Sequence, residues 1–201
     1  MSDLFGFFTL GFHHIADVNA ADHLLFLLAL GAIYRPRDWR AALLVVSAFT
    51  VGHSITLGVA ALGWVTPPSR WIEFLIPVTI VATGAENLIR RERAAGGPGA
   101  RLRPLFALLF GLVHGAGFAT YLRSLLGSAV VVPLLGFNLG VEAGQVVILL
   151  TSALGFAALD AALARLPRAR MDPQRAFRWR RTGVSLAVTA VALIWAGQRW
   201  P

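Results

Sequence analysis

Histidine and carboxylate are the residue types in this chain that could hold a metal ion. The five histidines stand at 13, 14, 23, 53 and 114, and none lies in an arginine-rich stretch. There is no cysteine, which excludes thiolate metal sites, disulfides and a cysteine nucleophile. Imidazole with carboxylate suits a divalent transition ion such as Ni²⁺, Zn²⁺ or Co²⁺. Asp22, Glu86 and Glu142 fall inside apolar stretches, and so do the polar residues Thr50, Ser54, Asn87, Asn138 and Gln145. A carboxylate surrounded by lipid must be neutralised by a proton or a bound cation.

The stretches that position these residues read as membrane helices. The chain of 201 residues is 57% hydrophobic and 14% charged, where a soluble domain is about 45–50% apolar and 25% charged. Its mean hydropathy is +0.68. Disorder is excluded, and a soluble domain is disfavoured. A spanning helix needs about 20 apolar residues. The segments 40–63, 70–89, 103–126, 133–160 and 182–198 meet this need. The first crossing is interrupted, because His13, His14, Asp17, Asn19, Asp22 and His23 separate two apolar runs. It reads as a span over 20–34 preceded by a short helix over 4–16, with one long tilted helix as the alternative. The same polar cluster interrupts what would be the apolar region of a secretory signal, so none is expected. The expected fold is a single membrane domain over 1–201, an all-α bundle of about six spans with a polar His/carboxylate core. No convincing sequence repeat relates its two halves.

All 18 basic residues are arginine, and the formal net charge is +8. Fifteen of the arginines fall at 35–40, 90–103 and 165–181, the loops after spans 1, 3 and 5. Those three loops share one side of a six-span bundle, and the positive-inside rule makes that side cytoplasmic. Both termini are then extracytoplasmic. Nucleic acid binding, the other reading of a basic chain, is not expected. The glycine-rich linker at 94–100 divides the chain into two three-helix halves. Segment 165–181 reads either as a surface helix or as a solvated loop.

Helix rise estimates the depth of each buried group. Counted from Tyr34, Trp39 and Arg103, His23, His53 and His114 lie about 16, 21 and 16 Å from the cytoplasmic boundary. Counted from Pro133 on the other side, Glu142 comes out about 16 Å from the same boundary. The four groups are expected at one level, with Glu86 only about 6 Å in. Asn138, Glu142 and Gln145 share a helix face by their spacing. A metal-related role fits this set; a proton relay without metal and a purely structural network are the alternatives.

Five stretches in order resemble the HupE/UreJ family of bacterial membrane proteins, named for hydrogenase and urease accessory proteins. The first is His14-Ile15 followed by Asp22-His23-Leu24-Leu25-Phe26, and the second runs from Phe49 to Leu57 through Thr50-Val51-Gly52-His53-Ser54. The others are Glu73-Phe74-Leu75-Ile76-Pro77, the run Phe110-Gly111-Leu112-Val113-His114-Gly115 continuing to Phe118, and Phe137-Asn138-Leu139-Gly140-Val141-Glu142 continuing to Gln145. They cover spans 1 to 5. The resemblance implies about six spans in a bacterial inner membrane and a link to nickel uptake. It also implies that His14, Asp22, His23, His53, His114 and Glu142 form the family's polar core, here the expected metal ligands.

The expected function is a permease or facilitator for a divalent transition metal, nickel before zinc or cobalt, rather than an enzyme. The ion would enter past His13, His14 and Asp17, dwell at the core and leave past Glu86 and Asn87. Its partners would be the lipid bilayer and the ion as cargo, with a homo-oligomer left open. One alternative is an intramembrane zinc hydrolase, with Glu142 or Asp22 as base and Ser54 as polarising hydroxyl. Another is a scaffold whose polar core only fixes helix packing.

Overall fold

A computed structural model of the chain describes residues 2–18, 21–66, 68–89, 100–126, 130–165 and 172–201. Among these the chain is all-helical, without strands. Its helices are α1 (Ser2–Ala16), α2 (Asp22–Gly31), α3 (Trp39–Ala61), α4 (Ser69–Ile89), α5 (Arg103–Leu125), α6 (Val131–Ala164) and α7 (Pro173–Gln198). Four segments are long and apolar enough to cross a membrane: Pro36–Ala61, Ser69–Ile89, Arg103–Leu125 and Val131–Leu163. α1 and α2 are apolar but short. α7 carries Arg175, Arg178, Arg180 and Arg181 in its first third. The linker residues 94–99 and Arg90, Arg91, Arg93, Arg168, Arg170 and Asn19 lie outside the described residues.

Local chemistry sets the helix ends. Pro104 and Pro173 stand in the first turns of α5 and α7, where a missing N–H breaks no helical bond. α3 stops at Gly63, whose φ of 75° is the left-handed region that ends helices cheaply only at glycine. There the Trp64 N–H reaches back to the Val59 carbonyl at 3.2 Å. The interrupted first stretch forms two helices, α1 ending at Ala16 and α2 starting at Asp22.

Glycines bring two pairs of helices to backbone contact. A Cβ placed on Gly52 of α3 would collide with the Leu108 carbonyl of α5, and one on Gly111 of α5 would collide with the Phe49 carbonyl of α3. A Cβ on Gly11 of α1 would collide with the Phe137 carbonyl of α6, and one on Gly140 of α6 with the Phe8 carbonyl of α1. Small residues at such positions let helices approach closely enough for van der Waals packing to hold them without a hydrophobic drive. α4 packs on α7 through Gly84, which faces Ser185 and Thr189. α2 sits among the others with His23, Phe26, Leu27, Ala29 and Leu30 buried.

The outer faces stay apolar, with Leu44, Val51 and Ile55 on α3 and Leu150 and Leu154 on α6 exposed. Exposed tryptophans gather at the helix ends: Trp39 and Trp179 near the starts of α3 and α7, Trp64 and Trp200 just past their ends, and Trp71 in the first turn of α4. Residues 173–181 of the last arginine cluster are helical, and Arg180 and Arg181 are buried. Arg180 donates to both Asp160 carboxylate oxygens at 3.0 and 3.1 Å and lies over the rings of Phe156 and Phe177.

Gly52→Val should lower stability by about 1–3 kcal/mol, the usual cost of overpacking. Gly155→Ala, with nothing within 4 Å of the new methyl, should be neutral or stabilise by up to about 1 kcal/mol. Reversible unfolding in mixed detergent checks both, and equal effects would refute the packing argument.

Candidate metal site

His14 lies in the last turn of α1, His23 in the first turn of α2, and His53 and His114 midway along α3 and α5. The break between α1 and α2 turns the first two inward, while the contact of α3 with α5 brings up the others. The His23 ring centroid is 4.8 Å from that of His14, 6.1 Å from His53 and 5.1 Å from His114. His14 and His53 are 5.9 Å apart by the same measure. One nitrogen each from His14, His23 and His53 falls within a 4.8 Å group. Donors on one tetrahedral ion lie about 3.4 Å apart, given metal–nitrogen bonds near 2.1 Å, so the three rings would draw in by about 1 Å to close on an ion.

Neighbours fix which nitrogens are free. Asp22 accepts from the His23 backbone N–H at 2.9 Å, and its Oδ1 lies 3.0 Å from His23 Nδ1. A carboxylate there holds the proton on Nδ1, leaving the Nε2 lone pair for a ligand. This is the usual support of a metal-bound histidine by its neighbour. Thr79 donates its one hydroxyl proton to the Ile76 carbonyl at 2.7 Å. It must therefore accept from His114 Nε2, 3.0 Å away, which leaves His114 Nδ1 as the acceptor.

Five other ring nitrogens have no hydrogen-bond partner among the described residues. His14 Nε2, His23 Nε2, both nitrogens of His53 and His114 Nδ1 are buried without a hydrogen bond among the described residues. His53 is 0% exposed. Each unsatisfied buried polar group costs about 1–3 kcal/mol, so this cluster is stable only around something polar that accepts the lone pairs. Phe137 and Phe118 pack on His14, while Phe49 and Phe26 pack on His114. These rings exclude water and stiffen the group, a contribution the residue types alone did not announce.

A cavity of about 530 Å³ opens beside His14, lined by Leu10, His13, Asp17, Phe118 and Tyr121 among others. His13 and Asp17 are exposed in it. On the far side of the group lies a cavity of only about 20 Å³, between α2, α4 and α5. There Glu86 is paired with the buried Arg103 at 3.2 Å, and Asn87 donates to the Ala29 carbonyl at 2.7 Å.

Glu142 is not brought to the histidines. It accepts from the Ser47 hydroxyl at 2.8 Å. Five residues along a helix turn the face by about 140°, so Phe137 points at His14 and Glu142 points elsewhere. Gln145 Oε1 accepts from Thr50 at 2.7 Å, and Ser54 donates to the Thr50 carbonyl of its own helix at 2.7 Å. Asn138 Oδ1 is buried without a described partner.

All-helical among the described residues, with four apolar segments of membrane length and a group of histidines that could hold a metal ion, the chain has the make-up of a membrane protein with a candidate metal site. A family model described as "HupE / UreJ protein" matches residues 1–199. The chain belongs to that family, over its length rather than over the first five spans alone. No curated protein and no solved structure matches it significantly.

Asp22→Asn should weaken Ni²⁺ or Zn²⁺ binding by about 10–100-fold, the usual loss on removing a group that orients a liganding histidine. Equilibrium dialysis of the purified protein measures it. Unchanged affinity would detach Asp22 from the site.

Proposed function

We propose that this protein is a permease or facilitator for a divalent transition metal, nickel before zinc or cobalt. The observation that carries the reading is the set of unpartnered nitrogens on His14, His23 and His53, gathered within reach of one ion. Neutral imidazoles are borderline donors that fit these metals and not Mg²⁺ or Ca²⁺. The family's association with nickel accessory functions supports the choice of metal.

In this reading the ion enters through the cavity beside His14, where His13 and Asp17 attract it. It then binds His14, His23 and His53, with His114 next in line. The exit past Glu86 and Asn87 is closed in this conformation by the Arg103–Glu86 pair. The buried Arg103 guanidinium also repels a cation, so release requires that pair to move. A membrane potential supplies about 2.3 kcal/mol per charge per 100 mV, enough to bias inward flow without ATP.

We place the protein in a bacterial inner membrane as a single domain with six crossings. α1 and α2 together make the first and α7 the last. Tryptophans at both ends of the bundle and arginines concentrated at one end support this arrangement, with that end cytoplasmic and both termini outside. A permease accounts for the site better than a hydrolase does. Glu142 is bonded to Ser47, Asp22 to His23 and Ser54 to its own helix, so the groups a hydrolase would use as base and polarising hydroxyl are already engaged.

Proteoliposomes loaded with a metal-sensitive dye test the reading. Ni²⁺ uptake should be saturable and should fall to the level of empty vesicles in His53→Ala. Wild-type vesicles no more permeable than empty ones, or uptake unaffected by His53→Ala, would overturn it.

A further inference from the structure

The contacts of α1 with α6 repeat those of α5 with α3, residue by residue. Gly11 meets the Phe137 carbonyl, and Gly111 meets the Phe49 carbonyl. Gly140 meets Phe8 O and Phe12 N, and Gly52 meets Leu108 O and Leu112 N. A Cβ on Gly144 would approach the Phe12 carbonyl, and Thr56 donates to the Leu112 carbonyl at 2.9 Å. The Phe137 ring lies 5.5 Å from His14, and the Phe49 ring 5.1 Å from His114. Two constant offsets generate every pair: 100 residues from α1 to α5, and 88 residues from α3 to α6. Under them Gly11-Phe12-His13-His14 falls on Gly111-Leu112-Val113-His114, and Phe49-Thr50-Val51-Gly52 on Phe137-Asn138-Leu139-Gly140.

The two halves are related upside down. α1 runs alongside α6 in the same direction, since Leu4, Phe8 and Phe12 meet Gly136, Gly140 and Gly144 in order. α3 and α5 are likewise parallel. α3 and α6, equivalent under the offset, run oppositely, with Gly58 near Leu134, His53 near Phe137 and Ser47 near Glu142. α4 and α7 complete the halves and pack antiparallel on each other, Gly84 against Thr189 and Phe74 against Trp200. A pair lying across a two-fold axis in the membrane plane has that arrangement. Inverted repeats of this kind place the substrate at their interface near the midplane and transport by exchanging the conformations of the halves.

Among the described helices α2 alone has no counterpart. Its His23 lies between the equivalent His14 and His114. Its Phe26 stacks on Phe49 at 4.8 Å and lies 6.5 Å from Phe110, the equivalent of Leu10. The cavity beside Leu10 and His14 is about 530 Å³, and the one beside Phe110 is about 20 Å³.

We propose that the chain is an inverted-topology repeat in which His14 and His114 are equivalent ligands serving opposite sides of the membrane. A divalent transition cation leaves past His114 through an inner vestibule that α2 fills in this conformation. The route rests on the permease reading; the repeat does not. Movement of α2 carries His23 with it, so opening the inner vestibule also removes one donor from the ion.

The chain has no cysteine, so single cysteines report directly. Leu10→Cys and Phe110→Cys are reconstituted and labelled with a membrane-impermeant maleimide added to one side at a time. The expected result is labelling from opposite sides, with Ni²⁺ shifting the two rates several-fold in opposite directions. Labelling of both from one side, or no reaction of Phe110→Cys while the denatured variant reacts, overturns the proposal. So do rates that move together when Ni²⁺ binds. Should either variant misfold, oxidative cross-linking of Phe26→Cys to Phe110→Cys decides. It should stop Ni²⁺ uptake reversibly and leave Ni²⁺ binding intact, and unchanged uptake overturns the proposal. Wild-type protein that binds no Ni²⁺ defeats the permease reading instead, and the sidedness of labelling still reports the repeat.

Discussion

The close backbone approach of α3 to α5, and of α1 to α6, is the constraint on which the rest of the structure depends. At Gly52, Gly111, Gly11 and Gly140 a neighbouring carbonyl occupies the space of a side chain. Lipid is as apolar as leucine, so burial in the membrane gives helices no reason to meet. Dispersion between backbones in contact does. The same contacts set the histidines. His53 and His114 sit one turn beyond Phe49 and Gly111, so the approach that packs the helices also brings their imidazoles inward. A wider spacing would leave lipid or side chains where the ring nitrogens now face one another.

The polar group inside this frame is organised in two tiers. Asp22 and Thr79 touch histidines from behind and determine which nitrogen carries the proton. The lone pairs left over converge. Such an arrangement is costly when empty of polar company, because each orphaned nitrogen has given up water for nothing. It is economical only around a cation, or a water held where a cation would sit. The phenylalanines that enclose it sharpen the choice by lowering the local dielectric and keeping bulk water out.

Much of the fold was legible because a bilayer leaves few options. The apolar stretches at 40–63, 70–89 and 103–126 fall on α3, α4 and α5, whereas α7 begins at Pro173, nine residues before the stretch at 182–198. The interrupted first stretch was readable as two helices because the polar run from Asp17 to Asp22 cannot continue an apolar one. Depth arithmetic put His23, His53 and His114 at one level, and the His23 ring does lie near each of the other two. It failed for Glu142, because depth is one coordinate and the angle around the helix is another. It also gave no partner for Glu86, which pairs with Arg103, seventeen residues away on another helix. The repeat is faint in the sequence for a similar reason. Its signature is a handful of glycine, phenylalanine and histidine positions, too few to stand out until their contacts fall into register.

The sequence by itself determined the donor chemistry, the apolar lengths and the charge asymmetry. These are properties of residue type and local order, and no folding can change them. The tertiary structure alone decided which donors converge and which nitrogens are free. It also decided that Glu142 belongs with Ser47 and that the cavity beside His14 is about 530 Å³ while the one beside Phe26 and Phe110 is about 20 Å³. Those outcomes depend on azimuth and interhelical distance, which a chain acquires only when its helices touch.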